Sequence, residues 1–197
     1  MYEIEIKAHV DDRAKVIKNL ERFADFAGAV EKDDTYYENT INGKTIKIRI
    51  RKETPFTTKE IPDAPQALSH KSVIFTYKRK EIREDDGRSF EVNDEKETFL
   101  TEAEPFEAFL EDTGFKSTLT KHKIVLAWHY DNAHLELCTV EKLGDFIEIE
   151  ILSEHNDEKQ VTEAREKLLK LLSKCGVSED KIEKRYYSQM LEEIQGR

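Results

Sequence analysis

Residues 3 to 7 read Glu3-Ile4-Glu5-Ile6-Lys7. In a strand, alternate residues share a face. Glu3, Glu5 and Lys7 therefore stand on one side, and Ile4 and Ile6 on the other. Same-face neighbours lie about 7 Å apart. At an effective dielectric near 20, two carboxylates at about that distance repel by roughly 2 kcal/mol. Such a row is stable in water or beside a cation. The pattern returns in Phe146-Ile147-Glu148-Ile149-Glu150-Ile151. Glu3, Glu5, Glu148 and Glu150 thus offer hard oxygen ligands of the kind Mg²⁺ or Mn²⁺ takes, often together with phosphate.

Cationic rows with the same spacing lie between these acidic strands. Lys47, Arg49 and Arg51 share one face, and Ile46, Ile48 and Ile50 take the other. Lys78 pairs with Lys80, and Lys121 with Lys123. Arginine presents planar, forked donors that match phosphate oxygens. Tyr36 is placed either to orient a water or phosphate or to pack at a strand end. Any single row reads as readily as a solvated face, because 38% of the chain is charged against about 25% in an average protein. The number and order of the rows point instead to one site for metal ions and a polyanion. The histidines show no metal-ligand spacing, and alternation turns His122 away from Lys121 and Lys123. There is no Gly-rich phosphate loop, nucleophile elbow or zincin motif.

These rows need strands to hold them. Strands are predicted at 2–9, 33–39, 44–52, 72–80, 88–93, 116–130, 133–140 and 145–152, with a bend in the long sixth one. Helices are predicted at 12–27 (stopped by Gly28), 102–113, 157–175 (stopped by Gly176) and 179–195. Residues 53–70 carry Pro55, Pro62 and Pro65 and read as a long, mobile connection. The unit Glu-Ile-Glu-Ile, helix, Gly occurs at both ends and hints at two related halves. Antiparallel strands with helices outside define an α+β class. A closed barrel accommodates the pattern if its apolar side packs outward under the helices. The charged rows then line the lumen, the reverse of a small barrel filled with apolar side chains.

Composition narrows the function. The 197 residues fit one domain, and the net charge of −10 argues against general nucleic-acid binding. No apolar run approaches membrane-spanning length and no signal peptide is evident, so a soluble, cytoplasmic protein that does not engage membranes is expected. Cys138 and Cys175 are too few for a disulfide framework.

The motifs in this order resemble the CYTH family of triphosphate tunnel metalloenzymes, in particular its class IV adenylate cyclase type, and the likeness spans nearly the whole chain. Glu3-Ile4-Glu5-Ile6-Lys7 is similar to the family's Glu-x-Glu-x-Lys strand. Asp34-Thr35-Tyr36-Tyr37, Ile48-Arg49-Ile50-Arg51 and Thr76-Tyr77-Lys78 resemble its Asp-x-Tyr, Leu-Arg-Ile-Arg and Thr-Tyr-Lys segments. Glu91, in Phe90-Glu91-Val92, is similar to the acid of a mid-chain strand. Leu143-Gly144-Asp145-Phe146-Ile147-Glu148-Ile149-Glu150 resembles Leu-Gly-x-Phe-x-Glu-Ile-Glu, and Arg185-Tyr186-Tyr187-Ser188 an Arg-Ser-Tyr segment.

The resemblance implies an eight-stranded antiparallel tunnel that binds a triphosphate: ATP, tripolyphosphate or thiamine triphosphate. Metal-side acids would be Glu3, Glu5, Glu91, Glu148 and Glu150. Phosphate ligands would be Lys7, Arg49, Arg51, Lys78, Lys123 and Arg185, joined by Lys47, Lys80 and Lys121 of the same rows. Tyr36 and Lys78 match residues that activate the attacking water in hydrolytic members. Dimers are common among such relatives. Two departures stand out. Lys121-His122-Lys123 replaces the usual Lys-x-Arg. Leu137-Cys138 replaces Leu-Asp, which removes an acid, and Glu136 is expected on the opposite side of the strand. Three functions stay open at this stage: a metal-dependent cyclase or triphosphate hydrolase, a non-catalytic polyphosphate or nucleotide binder, and an interaction domain with solvated charged faces.

Overall fold

A computed structural model describes residues 2–61, 70–85, 88–153 and 158–196, with side chains described outside 78–95 and 158–159. In chain order the elements are β1 (Tyr2–His9), α1 (Arg13–Leu20), β2 (Asp25–Ile41), β3 (Lys44–Phe56), β4 (Ser72–Asp85), β5 (Arg88–Leu100), α2 (Glu104–Asp112), β6 (Lys116–Tyr130), β7 (Ala133–Val140), β8 (Gly144–Ser153), α3 (Glu158–Cys175) and α4 (Tyr187–Ile194). The strands form an antiparallel ring in the order β1-β5-β4-β3-β2-β6-β7-β8. β1 completes it, pairing with β8 along its whole length and with β5 over Tyr2–Glu5 only.

The main apolar core lies outside the barrel wall. Ile4 and Ile6 of β1, Leu126 and Trp128 of β6, Leu135 and Leu137 of β7 and Ile147 and Ile149 of β8 face outward. There they pack against Val16, Ile17 and Leu20 of α1 and Leu168, Leu171 and Leu172 of α3. Complete burial of such a side chain contributes about 1.5–3 kcal/mol, so this shell stabilises a wall whose inner face is charged. Gly176 ends α3 at φ +80°, and an added Cβ would stand 2.6 Å from Asn19 Nδ2. That amide donates to the Cys175 carbonyl (3.0 Å) and ties α1 to the end of α3. A second cluster joins α2 to the outside of β2 and β3 through Tyr37, Ile48, Ile50 and Leu110. Among the described residues no helix is long and apolar enough to cross a membrane.

Two helices differ from the sequence expectation. α1 stops at Leu20 rather than Ala27, because the backbone from Asp25 onward pairs with β6, and that ladder satisfies the same groups a longer helix would use. Gly28 marks a register shift inside β2 rather than a helix end. The predicted 179–195 helix is broken. A 3-10 turn at Glu179–Lys181 leads into an extended stretch before α4 begins at Tyr187. Among the described residues, β1 has no β5 partner beyond Glu5. Ala8 bridges Ile182, and Glu183 N donates to the Lys7 carbonyl at 2.8 Å. The edge's demand for hydrogen bonds overrides the helical pattern. Of the 53–70 connection, Glu53–Phe56 extend β3, Ile61 is buried in the main core, and 62–69 lie outside the described residues. The bend predicted in 116–130 coincides with a register shift opposite Tyr36 and Tyr37.

Candidate functional site

The barrel encloses a cavity of about 890 Å³. Strand alternation directs the odd residues of β1, β3 and β6 and the even residues of β2, β7 and β8 into it. Its wall includes Glu3, Glu5, Lys7, Tyr36, Lys47, Arg49, Arg51, Lys121, Lys123, Glu148 and Glu150. His122 points outward instead, with Nδ1 2.8 Å from Asp33.

The charges are ordered in layers. At the centre of the cationic layer sits Asp34, 2% exposed. Arg51 grips it with both arms of its fork, Nε to Oδ1 at 2.7 Å and Nη2 to Oδ2 at 3.1 Å. Lys121 Nζ lies 2.9 Å from Oδ2, and the Tyr36 hydroxyl is 3.5 Å from it. Burial alone would raise the Asp34 pKa, yet Arg51, Lys121 and Arg49 outweigh it and hold the carboxyl well below its usual range. Arg49 donates to Thr76 Oγ1 (3.0 Å) and to Glu97 (3.2 Å). The Lys47 ammonium pairs with Glu38.

Among the described residues, two acidic groups also line the tunnel. Ligand oxygens of Glu3, Glu5 and Glu150 lie within 4.8 Å of one another, as do ligand atoms of Glu136, Cys138 and Glu148. Glu136 accepts from Lys32 at 2.6 Å and Lys123 at 3.0 Å, with His134 Nε2 at 3.2 Å. Glu148 accepts from Lys123 at 2.7 Å. Burial opposes ionisation of Glu148, but Lys123 prevails and brings its pKa down to about 2. Burial and the Glu136 charge push Glu150 upward. Strand alternation corrects the expectation for Glu136. Two residues from Cys138, it shares that residue's inward face, whereas Leu137 faces out.

α4 and the segment before it stand at the cavity wall. Lys7 Nζ donates to the Arg185 carbonyl at 2.7 Å and lies 4.5 Å from the centre of the Tyr187 ring, with Lys121 Nζ at 5.1 Å. Tyr187 and Met190 pack with Val30, Val125, Cys138, Val140 and Phe146. The Arg185 guanidinium turns away from this wall, to Glu183 at 2.6 Å and Glu193 at 2.8 Å. The side chains of Lys78, Lys80 and Glu91 lie outside the described residues. The backbone register sets Glu91 opposite Glu5, Lys78 opposite Glu95 and Lys80 opposite Asn93.

Sequence reading missed several wall residues. Lys32 and Asp34 extend the Tyr36 row at two-residue spacing, a signal present but unused. Thr76 stands in the Thr76-Tyr77-Lys78 segment and Glu136 beside Cys138, but neither was given a role, and Glu97 and His134 carried no comparable local mark.

Residues 1–187 match the CYTH domain, and the chain belongs to that family. No curated protein matches the chain in sequence. Among solved structures, the PH1819 protein of Pyrococcus horikoshii is 26% identical, with 99% of each chain covered and a TM-score of 0.77. A candidate adenylate cyclase from Vibrio parahaemolyticus is 17% identical over 97% of this chain and 98% of its own, with a TM-score of 0.70. HpAC1 from Hippeastrum, reported to have a dominant triphosphatase activity, is 13% identical over 100% of this chain and 96% of its own, at a TM-score of 0.57. The last two share the fold with this chain.

Proposed function

We propose that this protein hydrolyses a small-molecule triphosphate with the help of Mg²⁺ or Mn²⁺. One observation carries the reading: a cationic layer built on Arg49, Arg51 and Lys121 faces carboxylates inside a single cavity. A polyphosphate chain and a divalent ion have complementary charges to these two layers. Fitness for the ion rests on the donor set, three carboxylates whose oxygens converge within 4.8 Å, chemistry that suits Mg²⁺ or Mn²⁺. Bound there, the ion supplies charge neutralisation and polarisation of phosphate oxygens.

The chain's own residues do the rest. Arg51 and Arg49 offer phosphate oxygens the N–H donors that Asp34, Thr76 and Glu97 leave over, and Lys121 adds a point charge. A cation 4 Å from a phosphate oxygen contributes about 4 kcal/mol at an effective dielectric near 20. Because these cations are already held by Asp34, Thr76 and Glu97, little ordering remains when the substrate arrives. Tyr36 and Lys78 order the attacking water. Its oxygen bonds the terminal phosphorus, the bridging P–O bond breaks, and the water proton passes to solvent.

Hydrolysis requires only the tunnel. Cyclisation of ATP requires in addition a seat for ribose and base that aims the 3′-oxygen at the α-phosphorus. Incubation with tripolyphosphate, thiamine triphosphate and ATP, each with Mg²⁺ or Mn²⁺, tests the reading. Release of orthophosphate supports it. Cyclic AMP with pyrophosphate reassigns the protein as a cyclase, and tight binding without any product reassigns it as a non-catalytic binder.

A further inference from the structure

Among the described residues, one acidic group in the tunnel already holds a cation. In Glu136, Cys138 and Glu148 the ligand atoms are close enough for one cation to touch all three. The Lys123 ammonium stands there. It is 2.7 Å from Glu148 Oε2, 3.0 Å from Glu136 Oε2 and 3.6 Å from Cys138 Sγ. Lys32 holds the other oxygen of Glu136 at 2.6 Å. Two carboxylates are therefore matched by two ammonium groups. Cys138 is buried, its Sγ 3.7 Å from Glu148 Oε2, and as a thiol it adds no acid to the group. Within the group the charge sums to zero, and a divalent ion placed there would leave two positive charges without compensation in a buried site. The thiol also gives a hard cation a poor ligand where an acid would give a good one.

We propose that Lys123 is a built-in cation that takes the place of a second divalent ion, so that the tunnel binds one such ion per chain, beside Glu3, Glu5 and Glu150. This assignment rests on the metal-dependent reading above. It makes Lys123 a positioning residue. Its ammonium holds Glu136 and Glu148 in place, and the substrate's oxygens are left to Arg49, Arg51 and Lys121.

Equilibrium dialysis of the full chain against Mn²⁺ tests this, with saturating imidotriphosphate as a non-hydrolysable probe and protein-bound Mn²⁺ measured by mass spectrometry. The unaltered protein is expected to bind one Mn²⁺, and Glu5→Gln to lose it. A protein carrying both Lys123→Met and Cys138→Asp has a group charge of −2, which one more divalent ion neutralises, so its count is expected to rise to two. Two ions in the unaltered protein overturn the proposal and leave the metal-dependent reading intact. No ion, with the probe present, overturns both. A single ion that survives Glu5→Gln and disappears in Glu148→Gln lies in the wrong group and overturns the assignment. So does a folded double variant that still binds one. Should that variant not fold, the count in the unaltered protein and in Glu5→Gln decides.

Discussion

Replacing Asp34 by Asn tests the electrostatic logic of the tunnel in one step. The carboxylate is buried and holds Arg51 at 2.7 Å and Lys121 at 2.9 Å. Asparagine keeps the shape and one acceptor oxygen but removes the charge. Buried Lys121 and largely covered Arg51 then lose their shared partner, and loss of one member of a buried ion pair costs about 3–5 kcal/mol. In a chain of this size each kcal/mol moves the melting temperature by about 2–4 °C. Asp34→Asn should therefore melt roughly 6–20 °C lower. A polyanion supplies the missing charge, so tripolyphosphate without metal should raise the melting temperature of Asp34→Asn more than that of the unaltered protein. Circular dichroism melts at neutral pH, with and without tripolyphosphate, measure both effects. A variant that melts within about 2 °C of the unaltered protein, or that gains nothing extra from tripolyphosphate, refutes the claim that Asp34 compensates the charges of Arg51 and Lys121.

Other outcomes follow from the same contacts. Asp34 and Glu148 have lowered pKa values, so they add stability above their ordinary carboxylate range that is lost as pH falls. For Glu148 the loss spans pH 4.5 to about 2, and acid titration followed by circular dichroism should show unfolding steepen in that window. Glu5→Ala and Lys78→Ala should each abolish orthophosphate release while the far-ultraviolet spectrum is retained; unchanged turnover in either removes that residue from the site. Ile149→Ala empties a fully buried position beneath the helices and should cost about 2–5 kcal/mol in urea unfolding without preventing tripolyphosphate binding. A much smaller loss would mean that the outer shell does not carry the barrel's stability.

The alternating strands were legible in the chain because side-chain direction in a strand is a local property with a period of two. Glu3, Glu5 and Lys7 against Ile4 and Ile6 disclosed a charged and an apolar face, and the same rule sent His122 outward and Lys121 and Lys123 inward. Applied with care, it also puts Glu136 beside Cys138. Helix ends were less legible, since Ala24 and Ala27 fit a helical repeat equally well until the β6 backbone is present to pair with Asp25 and its successors. The same holds for Ile182, whose partner at Ala8 is remote in sequence.

What only the tertiary structure decided is which charge meets which. Lys32 and Glu136 lie 104 positions apart in sequence, yet their charged atoms meet at 2.6 Å, and no local pattern encodes that contact. Ring closure brings them together. Once water is excluded, the neighbouring charge, rather than the residue's own type, sets whether a carboxylate such as Glu148 stays ionised or one such as Glu150 is driven toward its proton.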